Sequence, residues 1–182
     1  MRRPLLRTNQ RAGWLLASPW IMGLATTLIL LTVFLQASPI NVILAVLSAF
    51  FLIQVVCQVR KIYIARLSYS DGSLWVALSK GAPIAVPMDM VECVFLGQGP
   101  GQIVGLDGEP TEASTLIVRI AESATEFHKR EIDHQLGHWC DGYITVNGTW
   151  SEPITAEVAG RLNKTIVEIK KELRQAAQES SA

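Results

Sequence analysis

Between Arg11 and Arg60 the chain runs for 48 consecutive residues, Ala12 to Val59, without an Asp, Glu, Lys, Arg or His. A core helix of a soluble protein seldom exceeds about 20 residues and interleaves polar positions, whereas a bilayer core takes roughly 20 apolar residues per helix. The run therefore predicts two spans, Gly13 to Leu35 and Ile40 to Val59, parted by Gln36-Ala-Ser-Pro39, where Ser-Pro ends a helix. So short a link implies an antiparallel hairpin. Gly23 and Thr27 in the first span, and Ala45 and Ala49 in the second, are small residues four apart that would let the helices approach closely. A cleaved signal peptide has a shorter apolar run, about 7 to 15 residues, and no second span directly after it.

The flanks carry the orientation signal. Arg2, Arg3, Arg7 and Arg11 precede the first span, Arg60, Lys61 and Arg66 follow the second, and the link is uncharged. Positive residues stay on the cytoplasmic side, so both termini are expected inside, with the chain a multi-pass protein of the inner, cytoplasmic membrane. Residues 1–60 are thus expected to be a basic tail and a two-helix anchor. The tail would also touch anionic headgroups.

Residues 60–182 hold twelve Lys and Arg against sixteen Asp and Glu, an acidic balance that argues against a nucleic-acid partner, whose phosphates require a basic face. The three cysteines show no paired spacing, consistent with a reducing compartment. The sequons at Asn147 and Asn163 would then stay unmodified.

From residue 61 to 175 the pattern becomes that of an α+β domain. Ile62 to Tyr69 and Ser73 to Leu78 flank Asp71-Gly72 and predict a β-hairpin. Ile84 to Leu96 predicts strand character broken at Pro87. Gly97 to Pro110, with five glycines and two prolines, is expected to be a long mobile loop; it lacks the Gly-Lys-Ser/Thr and following helix of a phosphate cradle. Strands are expected again at Thr115 to Ile120, Glu126 to Ile132 and Tyr143 to Val146. Ile154, Val158, Leu162, Ile166, Ile169 and Leu173 recur at helical steps and predict a C-terminal amphipathic helix, capped by Ser151 or Thr155. The polar tail from Gln175 is expected to fray, leaving 176–182 disordered.

A meander of short strands closed by one such helix is the layout of a pleckstrin-homology-like (PH-like) barrel. The run Ser70-Asp-Gly-Ser-Leu-Trp-Val76 and the later Gly81-Ala-Pro-Ile-Ala-Val-Pro-Met-Asp-Met-Val-Glu-Cys-Val94 resemble the opening of membrane-anchored bacterial PH-like proteins. The resemblance implies a small antiparallel barrel behind a hydrophobic hairpin and no catalytic residues. Against phosphoinositide-binding members, the first hairpin has only Arg66 and Lys80 nearby in place of a basic cluster.

The chemistry-bearing residues concentrate in His134-Gln-Leu-Gly-His-Trp-Cys140, with His128 upstream. His134, His138 and Cys140 are ligand types that zinc accepts, and a metal-binding membrane enzyme or sensor built on His128, His134, His138 and Cys140 is the alternative reading. Turn grammar opposes it: Gly137 disfavours a helix, and Asp141-Gly142 and Asn147-Gly148 predict tight turns, with His138 and Cys140 on one face of a strand. The expected function is accordingly a non-enzymatic scaffold at the membrane, without a cofactor. Its expected partners are the bilayer and a protein or peptide, or a second copy paired through the C-terminal helix.

Overall fold

The computed structural model describes residues 2–33, 39–79, 81–104 and 110–179. The expected link Gln36 to Ser38, the centre of the glycine-rich segment and the last three residues lie outside the described residues. Two compact units are present: Asn9–Ile64, and Met1–Thr8 together with Ala65–Ala182.

The first unit is a helical hairpin of α1 (Gln10–Val33) and α2 (Pro39–Tyr63). Both helices are long and apolar enough to cross a membrane, and only 11% of the apolar window of each is buried. Leu15, Met22, Ile29, Val42, Ile43 and Ile53 are among the large apolar side chains left exposed. The interface forms where small residues admit a neighbour. A Cβ at Gly23 would lie 2.6 Å from the Phe51 ring, and Ala17, Thr27, Leu44 and Ser48 are buried. Gly23 and Thr27 thus sit where expected, but Ala45 and Ala49 are exposed. The second helix contributes Leu44 and Ser48 in their place, one residue earlier on each turn. Pro19 lacks the N–H that would bond the Leu15 carbonyl, and Ser18 Oγ donates to that carbonyl at 2.8 Å.

The second unit is α+β. Its first strand, β1 (Arg3–Leu6), precedes the hairpin, and the next, β2 (Leu67–Ser70), follows it. With β3 (Ser73–Val76) and β4 (Ile84–Pro87) they make an antiparallel sheet in the order β1-β2-β3-β4. A second antiparallel sheet has the order β5-β6-β8-β7, from β5 (Val91–Val104), β6 (Pro110–Ile120), β7 (Gly137–Cys140) and β8 (Tyr143–Asn147). The helix α3 (Ala156–Glu179) follows, its first turn capped by Thr155, whose Oγ1 accepts the Val158 N–H at 3.3 Å.

The described strands form two separate sheets and are not closed into a barrel. The break falls where Pro87 ends β4 and the turn Met88–Met90 intervenes. The core lies between the layers: Leu6, Leu67, Leu74 and Val86 from one sheet, Leu116, Val118 and Ile144 from the other, and Ala159, Leu162, Ile166 and Ile169 from α3. The two Asp-Gly pairs take the conformation their chemistry favours. Asp71 and Gly72 have φ of 52° and 73°, Asp141 and Gly142 of 52° and 77°, the double positive φ of a two-residue hairpin turn.

Several expectations are corrected. Residues 3–6, expected as part of a basic tail, are a strand of the domain, with Leu5 and Leu6 in the core. The predicted strand from Ile62 starts late, because α2 runs on to Tyr63. Gly97 to Val104 belongs to β5: Gly97 pairs with Thr115 and Gly99 with Ala113, and the β6 side chains of Thr115 and Ile117 lie over Gly97. Tertiary pairing overrides glycine's weak strand preference there. Glu126 to Ile132 is no strand; its start is the turn Thr125–Phe127. Asn147-Gly148 does lie at a turn, ending β8 and entering Gly148–Trp150, with Gly148 against the Ser114 carbonyl. Gln175 to Glu179 continue α3.

Because Leu6 is fully buried, Leu6→Ala should lower the unfolding free energy of the β unit by about 2–5 kcal/mol. Leu15→Ala, on an exposed hairpin position, should leave it unchanged. Denaturant titration of the full chain in detergent, followed by tryptophan fluorescence, reads both.

Candidate functional site

The edges of the second sheet are treated unequally. At the β7 edge the Gly137 N–H donates to the Asp133 carbonyl at 3.2 Å, and Trp139 Nε1 donates to the Phe127 carbonyl at 2.6 Å, so the segment before β7 folds over it. At the β5 edge one residue is satisfied from α3. Asn163 Oδ1 accepts the Val94 N–H at 2.8 Å and its Nδ2 donates to the Val94 carbonyl. A side-chain amide here does what a neighbouring strand would do.

That contact fixes the phase of the strand. If Val94 turns both backbone groups away from β6, then Leu96 and Gln98, two and four residues on, turn theirs the same way. Among the described residues neither has a partner on that side. Leu96 is also 43% exposed. An edge strand with unpaired backbone groups and an apolar side chain is a template for strand addition.

The face of this sheet away from the core follows from the registers. Cys93, Arg119, Tyr143 and Cys140 form one cross-strand row, and Phe95, Ile117, Thr145 and His138 the next. Phe95 and Tyr143 are both exposed and meet edge to face, centroids 6.4 Å apart. Arg119 is held by Glu92 at 2.8 Å and Glu122 at 3.4 Å. The result is an aromatic strip bordering the open β5 edge.

The expected histidine cluster is only partly assembled. His134 and His138 rings lie 5.6 Å apart, and Cys140 shares the exposed face of β7 with His138, as the strand reading required. His128 sits beside the Asp141-Gly142 turn; its carbonyl accepts the Gly142 N–H, and its Nε2 is buried without a hydrogen-bond partner among the described residues. Among the described residues no group of three or more His, Cys, Asp or Glu is placed to hold a metal ion. The Cys140 thiol is raised above its ordinary pKa, first by its hydrogen bond to Asp141 and then by that carboxylate's charge. A thiol held protonated is a poorer ligand and nucleophile at neutral pH. His134 also lines an open cleft of about 590 Å³ with Ser79, Glu131 and Asp133.

Arg66, read from sequence as a flanking positive charge, is buried. Its Nε donates to the Trp150 carbonyl at 3.2 Å; burial lowers its pKa, and the nearby Asp133 opposes the shift. Arg2 is also engaged, its guanidinium 3.9 Å above the Trp75 ring. Arg66 is therefore not free as a headgroup ligand. Asn163, one of the two sequon residues, uses its amide on Val94, a pairing that a glycan would remove. Sequence reading missed this role; its one trace is an Asn, a weak helix former, next to the apolar stripe.

Compared with protein-family models, with curated proteins and with solved structures, the chain matches none.

Two outcomes test this geometry. Asn163→Ala should speed hydrogen exchange at the Val94 amide and cost about 1–3 kcal/mol, the penalty for unsatisfied buried groups, while the Leu96 amide exchanges fast in both proteins. In a Cys57→Ser, Cys93→Ser background, Asp141→Asn should move the pH profile of Cys140 alkylation to lower pH; an unchanged profile would show that Asp141 does not control the thiol.

Proposed function

We propose that the chain is a membrane-anchored, non-enzymatic interaction module that binds an extended segment of a partner protein along the free edge of β5. The observation that carries this reading is that, among the described residues, the outward phase of Leu96 and Gln98 on an edge strand has no backbone partner, beside the exposed Phe95 and Tyr143 rings. Backbone hydrogen bonds would supply affinity and the aromatic strip would read alternate side chains.

The hairpin is its anchor in a bilayer, in our reading the inner membrane, crossed twice with both termini cytoplasmic. Arg11 lies in the first turn of α1, and Arg60 and Lys61 in the last turn of α2, so in the antiparallel hairpin these cations share one end. That distribution supports a cytoplasmic open end. Anchoring confines the domain to a surface, which raises the effective concentration of any membrane-bound partner. Two four-stranded antiparallel sheets with one C-terminal helix support the PH-like assignment made from the sequence.

The test exploits the direction of one N–H. Leu96→Pro removes a donor that points away from β6, so the β5–β6 ladder survives while strand addition is blocked. A photo-crosslinker at Gln98 in native membranes should give a discrete adduct that Leu96→Pro abolishes without changing the unfolding transition. A crosslinker at exposed Glu126 should not give that adduct. Adducts indifferent to Leu96→Pro would refute strand addition.

A further inference from the structure

The domain is not contiguous in the chain: it is left after Thr8 and rejoined at Ala65. The segment that precedes the hairpin is engaged along its length. Arg3 pairs with Tyr69, Pro4 with Ser68 and Leu6 with Leu67. Leu5 and Leu6 enter the core. The Arg7 carbonyl accepts the Glu152 N–H at 2.9 Å, Thr8 bridges to Ser151, and Arg2 stacks on Trp75.

This arrangement constrains topology more tightly than flanking charge does. Two helices whose outer ends run into neighbouring strands of one sheet have both ends on that sheet's side of any bilayer they enter. If the first residues were carried across, Leu5 and Leu6 would leave the core and β2 would lose its partner on that side. We propose that residues 2–8 are a topology latch. Seated on β2, they fix the hairpin as an even-crossing loop, and the domain is completed only after both helices have inserted with the N-terminus retained. The proposal rests on the membrane reading of the hairpin. It adds that the domain closes only when this short segment lies on the same side of the bilayer as β2.

The full chain in native membranes tests it, with Cys57, Cys93 and Cys140 changed to Ser and the facing pair Pro4→Cys and Ser68→Cys introduced. Mild oxidation should give an intramolecular disulfide in most of the chains that resist alkaline extraction. In a separate full-length variant, Leu6→Asp should raise protease sensitivity of the domain at least tenfold while the hairpin stays embedded. Membrane-retained chains that form no such disulfide, or a Leu6→Asp domain as resistant as the parent, would overturn the latch. Release of the unmodified chain by alkaline extraction would overturn the membrane reading itself, whether or not the disulfide forms.

Discussion

The pairing of Leu6 with Leu67 holds together two parts of the chain that the hairpin separates. Both residues are essentially without solvent contact, so burial and the strand ladder act at the same place. The hairpin can have any internal packing provided its ends return to adjacent strands. Contacts so distant in sequence form late, because the entropy of closing the intervening loop is lost before the contact gives anything back. The rest of the first sheet is local: β2, β3 and β4 are neighbours in both sequence and sheet order. Its core is nonetheless incomplete until the chain's first residues arrive.

What could be read from sequence follows how strongly each feature is encoded. The uncharged run, the two Asp-Gly turns, the break at Pro87 and the stripe of α3 all depend on local chemistry, and each appears in the structure. β1 was invisible because Arg3-Pro-Leu-Leu6 is too short to show a period and its partner lies past the hairpin. The glycine-rich arm of β5 was misread because its strand character comes from Thr115 and Ile117 across the ladder, not from its own residues. For the candidate site, the shared face of His138 and Cys140 was legible. The Asn163 pairing was not, since nothing local links a helix position to a strand 69 residues away.

Arg66 shows how the same residue can change meaning with context. By position it is one more cation after an apolar helix; by contact it is a buried donor tying the start of β2 to the Trp150 carbonyl. Arg2, held over Trp75, follows the same pattern. Arg11, Arg60 and Lys61, by contrast, stand at the open end of the hairpin.

The amide of Asn163 also works as a ruler. With Val94 already occupied, nothing can pair on the upstream side of Leu96 without displacing α3. Downstream, Pro100, paired with Glu112, falls in the same phase and has no N–H to offer. Between these two stops the edge exposes only the backbone groups of Leu96 and Gln98. A strand docking there, as proposed above, would have its register set by these two positions.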